Sequence, residues 1–212
     1  MSVTFRPCVL IPCYNHGAMM AKVLARLAPN GLPCFVVDDG SEESTRQTLE
    51  TLAAQNSHVT LIRLPENAGK GAAVIHGLEA CSRAGFTHAV QVDADGQHAI
   101  EDIPALLALA ARHPTALISG QPIYDESIPR SRLYGRWITH VWAWIETLSL
   151  QLKDSMCGFR VYPVAPTLQL AERVTLGKRM DFDTEVMVRL YWQGNTSYFL
   201  PTRVTYPHDG IS

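Results

Sequence analysis

The sequence predicts an α/β protein built on a mainly parallel central sheet flanked by helices. Three observations predict it. Short apolar runs alternate with stretches of helical periodicity through the first two-thirds of the chain. The spacing between successive runs leaves room for one crossover helix, which implies right-handed βαβ units and a sheet covered on both faces. Turns rich in Asp, Asn and Gly recur where the apolar runs end.

The elements follow in order. Cys8–Ile11 reads as a strand, and Met20, Val23, Leu24 and Leu27 then repeat at i, i+3, i+4, i+7, one face of a helix. Cys34–Val37 is a second strand, and Ser44 to Ala54 a helix with Leu49, Leu52 and Ala53 on one side. Val59–Leu64 is a third strand, followed by a helix from Lys70 to Ala84. Ala89–Val92 is a fourth strand. Ile103, Leu106, Leu107 and Ala110 mark a fourth helix, and Ala116–Ser119 a fifth strand. From Gln121 to Arg132 two prolines and mixed charges predict a loop. Leu133 to Leu152 predicts a long helix carrying Trp137, Trp142 and Trp144. Phe159–Tyr162 reads as a strand, Phe182–Gln193 as a helix and Ser197–Tyr206 as a terminal strand. With no repeat or linker, residues 1–212 read as one domain, with subregions 1–119 and 120–212.

Composition limits the function classes. Apolar residues make up 47% of the 212, enough for a sizeable core. Lys and Arg total 18 against 20 Asp and Glu, a net charge of −2, which argues against an electrostatic nucleic-acid face. The five cysteines form no CxxC pair, so reduced, mostly buried thiols are expected rather than a disulfide framework or a thiolate metal site. The N-terminus lacks a basic-then-apolar signal, and no uncharged apolar run of about 18 residues predicts a membrane span. A cytoplasmic protein is expected.

The chemistry should lie at the carboxyl ends of the strands, where open α/β sheets bind ligands. The first strand ends in Pro12-Cys13-Tyr14-Asn15 and the second in Asp38-Asp39-Gly40-Ser41. The third exits through Asn67-Ala68-Gly69-Lys70-Gly71 and the fourth through Asp93-Ala94-Asp95-Gly96-Gln97-His98. Each alone reads equally as an ordinary turn; together they point to a nucleotide site. Asp93 and Asp95, one residue apart, can meet one divalent cation, Asp95 directly and Asp93 directly or through water. Mg²⁺ and Mn²⁺ favour such hard oxygen ligands, and Gln97 can add a carbonyl oxygen. His98 reads as a helix-entry residue or as a support behind the ligands, rather than as a ligand itself. The lysine turn is not a Walker A loop. Lys70 at a helix start can still pair with phosphate or a ribose hydroxyl, aided by free helix N–H groups, or simply be solvated.

These four segments in this order resemble the family 2 glycosyltransferases of the GT-A fold. The nearest branch is that of the dolichyl-phosphate mannosyltransferases and bacterial polyprenyl-phosphate glycosyltransferases. That branch is similar again at Asp154-Ser155-Met156-Cys157-Gly158-Phe159-Arg160-Val161-Tyr162 and at Phe182-Asp183-Thr184-Glu185, so the likeness runs from about residue 7 to 210. It implies a nucleoside-diphosphate sugar donor, a divalent cation and inversion at the anomeric carbon. By the same resemblance Pro12, Tyr14 and Asp39 hold base and ribose, and Asp38 supports their loop. Asn15, Lys70 and Ala94 belong to the donor segments, and Asp93, Asp95 and Gln97 serve donor and metal. The chain departs from the family at His16, where relatives usually carry an acid, which leaves a donor-binding, non-catalytic homologue or partner subunit as the alternative reading. A sugar nucleotidyltransferase, which needs a glycine-rich first loop, fits Pro12-Cys13-Tyr14-Asn15 poorly.

A hydroxyl acceptor needs a general base, whereas a polyprenyl phosphate is already ionised and needs cations to place it. Arg130, Arg132 and Arg136, with Lys153, are the candidates for such an acceptor. For a base, Asp183 ranks first, then Asp181 and Asp154; the first two are also placed to cap a helix. The tryptophan helix is either a core helix or an interfacial one, lying on a membrane beside a lipid acceptor. Peripheral association with the inner membrane face is expected on the second reading.

Overall fold

The computed structural model describes residues 4–123, 139 and 141–203. Seven strands form one sheet: β1 (Pro7–Cys13), β2 (Cys34–Asp38), β3 (Val59–Arg63), β4 (His88–Gln91), β5 (Leu117–Ile123), β6 (Arg160–Pro163) and β7 (Ser197–Arg203). Their order across the sheet is β3-β2-β1-β4-β6-β5-β7. The pairs β1–β2, β2–β3, β1–β4 and β5–β7 are parallel, while β6 runs antiparallel between β4 and β5. The mainly parallel sheet is as the sequence predicts.

The helices are α1 (Gly17–Leu27), α2 (Glu43–Gln55), α3 (Lys70–Arg83), α4 (Ile103–Arg112), α5 (141–147), α6 (Val164–Arg173) and α7 (Phe182–Trp192). Strand residues alternate between two cores, as period-two side chains must. In β1, Cys8 and Leu10 face a core shared with α3, α6 and α7, and Val9, Ile11 and Cys13 face one shared with α1 and α4. The α1 residues at the predicted helical spacing, Met20, Val23, Leu24 and Leu27, are all buried. Helix α3 comes so close to β1 that a Cβ on Gly77 would lie 2.2 Å from a Leu10 methyl.

Three segments differ from expectation. Strand β5 continues through Gln121, Pro122 and Ile123, where a loop is predicted. Gly120 N donates to Phe159 O on the β6 side. Pro122, two residues on, faces the same side, where β6 no longer pairs, so its missing N–H breaks no ladder bond. Helix α6 is not predicted by periodicity, because its buried positions are only Val164, Thr167 and Leu170, one of them polar. The tryptophan helix ends early, since Leu148 adopts a left-handed backbone (φ 46°) and Ser149 N closes on Trp144 O. Residues 133–138 of that helix and 204–206 of the terminal strand lie outside the described residues.

The order of strands decides where a ligand sits. From β1 the chain steps to β2 and β3 on one side, then returns to β4 on the other. Loops after β1 and β4 therefore diverge and open a crevice at the carboxyl edge.

Candidate active site

The loop after β1 is tied to the loop after β2. Asn15, at φ 55°, receives Glu42 N on its Oδ1 (2.9 Å) and gives its own N–H to Ser41 Oγ (3.0 Å). Asp38 is fully buried, accepts Ser41 N at 2.9 Å, and binds the Arg63 guanidinium, which also donates to Ser41 O. Asp38 thus braces the loop. Asp39 takes Ala68 N (2.8 Å) and Gly69 N (2.9 Å) on its two oxygens, joining the β2 loop to the lysine turn.

The start of α3 corrects one expectation. Gly71 N and Ala72 N donate to Lys178 O, and Ala73 N to Gly69 O. With Ala68 N and Gly69 N on Asp39, no amide of this turn from Ala68 to Ala73, Lys70 apart, is left to cradle a phosphate. The ammonium of Lys70 points instead to two carboxylates, Asp183 Oδ2 at 2.9 Å and Asp93 Oδ1 at 3.1 Å. Burial alone would lower the Lys70 pKa, but Asp93 and Asp183 outweigh it and hold the ammonium charged far above the usual range. Asp93 behaves conversely. Burial would raise its pKa; Lys70, and then His98 through a 3.2 Å contact from Nε2, drive it well below the ordinary carboxylate range. Gln91 Nε2 adds a third donor at 3.2 Å.

Behind this cluster Arg160 is wholly buried and donates to three main-chain oxygens, of Ser155, Cys157 and Asp183. Its guanidinium also lies 3.9 Å from Asp183 Oδ1. The loop 154–158 is drawn so tightly against the cluster that a Cβ on Gly158 would stand 2.7 Å from both Asp93 Oδ2 and Lys70 Nζ.

In front of the cluster is a cavity of about 620 Å³. Pro12, Cys13, Tyr14 and His16 line it from the β1 loop, Asp39, Asn67, Gly69 and Lys70 from the β2 and β3 side, and Asp93, Ala94 and Asp95 from the β4 loop. The predicted Asp pair and Tyr14 thus share one crevice. Arg179 and Met180 complete the wall from the loop before α7. Among the described residues the Arg179 guanidinium has no carboxylate partner. His16 donates from Nδ1 to Tyr14 O at 2.6 Å, since a carbonyl can only accept.

For a divalent cation the two acids differ. Asp93 is saturated by Lys70, His98 and Gln91, while Asp95 spends only Oδ1, on Gln97 N at 3.0 Å. Among the described residues no three His, Cys, Asp or Glu side chains gather at one point. The residues present therefore fit an ion that takes one carboxylate from the protein and its remaining ligands from phosphate oxygens and water, as Mg²⁺ and Mn²⁺ do.

Other expected residues stand elsewhere. Gln97 does not line the cavity; its backbone N–H caps Asp95. Asp154, the third base candidate, is buried, and its Oδ1 accepts Met156 N and Cys157 N, shaping the turn beneath the cluster. Asp181 is exposed and accepts Arg179 N at 3.2 Å, with no helix-capping bond from its side chain. Asp183, the first-ranked base, is an ion-pair partner of Lys70. Arg130, Arg132 and Arg136 lie outside the described residues. Sequence reasoning missed Gln91 and Arg179 as site residues. Its place four residues before Asp183 is a sequence signal that could have flagged Arg179.

A family model described as glycosyl transferase family 2 matches residues 8–169. The undecaprenyl-phosphate mannosyltransferase of Micrococcus luteus is 31% identical over 163 residues, 74% of this chain and 66% of that protein. The dolichyl-phosphate beta-glucosyltransferase of Dictyostelium discoideum is 26% identical over 208 residues, 84% of this chain and 60% of that protein. The chain thus spans two thirds or less of the length of these relatives. Among solved structures, S. aureus TarS 1–349 in complex with UDP aligns with a TM-score of 0.66 at 18% identity, covering 95% of this chain and 61% of that one. The mannosyltransferase PcManGT from Pyrobaculum calidifontis, in complex with GDP-Man and Mn2+, aligns at 0.62 and 17%, covering 99% and 60%. The fold is the GT-A fold.

Proposed function

The chain belongs to glycosyl transferase family 2, and from that premise we propose that it moves a sugar from a nucleoside diphosphate to the phosphate of a polyprenyl-phosphate-like lipid. One observation carries the choice of acceptor. Asp183 is locked to Lys70 at 2.9 Å, with Asp93 and Asp39 likewise engaged. Among the described residues the cavity therefore offers no free carboxylate to act as the base beyond Asp95, the cation's candidate. A hydroxyl acceptor needs such a base, and an ionised phosphate does not.

In the proposed reaction a phosphate oxygen of the acceptor forms a bond to the anomeric carbon. The bond from that carbon to the β-phosphate oxygen breaks, and the nucleoside diphosphate leaves with the electron pair. In-line displacement inverts the centre. Tyr14, 45% exposed, offers a ring face to the base. Asp39, fixed by two amides, faces the ribose. Asp95 would hold Mg²⁺ or Mn²⁺, which neutralises charge on the departing diphosphate. Lys70 keeps Asp93 ionised and rigid beside it. Arg179 meets anionic oxygens at the cavity mouth, and Arg130, Arg132 and Arg136 are proposed to join it on the acceptor.

The same reading includes peripheral association with the cytoplasmic face of a membrane. Among the described residues no helix is long and apolar enough to cross one. Helix α5 and its end expose Trp142, Ile145 and Leu148 at i, i+3, i+6, and Trp192 joins them by donating to Glu146 O. Such a face suits the headgroup boundary.

The test is transfer from UDP- and GDP-sugars, with Mn²⁺, to undecaprenyl phosphate and to undecaprenol. Product is expected with the phosphate alone, and Asp95→Ala should cut turnover about 100-fold or more. Comparable transfer to undecaprenol would remove the acceptor reading. Unchanged turnover in Asp95→Ala would remove the cation's role.

A further inference from the structure

The loop that carries Asp95 is held by a residue outside the cavity, Arg26 on α1. Its Nη1 donates to Gly96 O at 3.0 Å and its Nη2 to His98 O at 3.0 Å and Glu101 Oε1 at 3.1 Å. Met19, Val23 and Arg26 lie at i, i+4, i+7 and form one stripe of α1. Gly96, at φ 72°, lies over that stripe, and a Cβ on it would stand 3.5 Å from Met19 and Val23. On the opposite side the loop is anchored by His98, whose ring bonds Asp93 and stacks on Phe159 with centroids 5.0 Å apart. Asp95 projects into the cavity between these two anchors.

We propose that Arg26 is a positioning residue for the cation and diphosphate half of the donor site, an inference that rests on the donor reading above. From the α1 side the main chain of residues 96–98 is held by the Arg26 guanidinium, through Gly96 O and His98 O. A planar guanidinium can satisfy two carbonyls at once, and an ammonium cannot reproduce that fork. Loss of the fork frees the loop to turn Asp95 away from the ion while leaving Tyr14, Asp39 and the base end untouched. The exposed contact to Glu101, 71% accessible, adds little. Arg63 has the matching role at the other end, where it binds Asp38 and Ser41 O, and so provides an internal contrast.

The experiment measures two affinities on the full chain. Binding of UDP and of GDP without metal is followed by calorimetry, and binding of Mn²⁺ to the nucleotide-loaded protein by the free-ion electron paramagnetic resonance signal. Arg26→Ala is expected to weaken Mn²⁺ about 10-fold or more, as loss of an outer support does, with metal-free nucleotide affinity within about 2-fold of wild type. Arg26→Lys should recover part of the loss. Arg63→Ala should show the reverse split, with nucleotide weakened and the Mn²⁺ increment kept. Wild-type Mn²⁺ affinity in Arg26→Ala, or equal losses in both measurements as general damage would cause, overturns the proposal. Absence of any Mn²⁺ increment in the wild-type protein with either nucleotide overturns the donor reading, and this inference with it.

Discussion

Replacing Lys70 by Met keeps most of the stem's packing and removes one charge from the cluster. The side chains of Lys70, Asp93 and Asp183 are 17%, 25% and 4% exposed. Deleting one partner of a buried pair costs about 3–5 kcal/mol, because the other charge is left without compensation. Here the lower end applies. Asp93 keeps His98 and Gln91, and Asp183 keeps Arg160 at 3.9 Å. A loss of about 3 kcal/mol is expected in urea unfolding, with an unchanged m-value. In Lys70→Met/Asp183→Asn the stranded charge on Asp183 is gone, so the double variant should be more stable than the summed single effects by about 1–3 kcal/mol. Asp93 should also take up a proton at higher pH than in wild type, because the larger of the charges lowering its pKa has been removed. A cost below about 1 kcal/mol for Lys70→Met, or strict additivity in the cycle, would refute the view of this cluster as a coupled charge network.

Two further outcomes follow from the same geometry. Gly71→Ala should gain up to about 1 kcal/mol of helix propensity but place its Cβ 2.5 Å from Gly177 O and 2.7 Å from Phe182 Cβ. A net loss of about 1–2 kcal/mol in urea melts is expected, and a neutral or stabilising result would show the α3–α7 contact to be loose. His88 is buried and neutral, donating from Nε2 to Pro114 O and accepting from Thr87 Oγ1, and burial lowers its pKa below 6.5. The unfolded chain therefore binds more protons below that value. Its stability contribution is full above pH 6.5 and is lost as pH falls through the folded pKa, with a slope of at most about 1.4 kcal/mol per pH unit. Urea midpoints between pH 8 and 5 should fall less steeply in His88→Gln; an identical slope would remove His88 as the source.

The strands and most helices were legible because their cause is local. Buried on both faces, β1 and β2 need continuous apolar runs, and α1 needs its 20, 23, 24, 27 stripe to cover them. The four polar strand ends were legible for a related reason, since a parallel sheet delivers them all to one edge. What went unread depends on distant partners. Arg26 and Arg63 look in sequence like solvated charges, yet each holds main-chain oxygen of a site loop. The turn at Gly69-Lys70-Gly71 looks like an anion cradle until Asp39 is seen holding Gly69 N and Lys178 O holding Gly71 N.

By itself, then, the amino-acid order determined the α/β class, the parallel crossovers and the set of acids, lysine and tyrosine that reach one edge, because spacing along the chain alone sets side-chain periodicity. Only the folded molecule decided which of those charges are spent on one another. Lys70 neutralises Asp93 and Asp183, and Asp95 keeps an oxygen for a ligand. The reason is physical: a carboxylate's availability depends on neighbours within a few ångströms, and those neighbours come from strands and helices far away in the sequence.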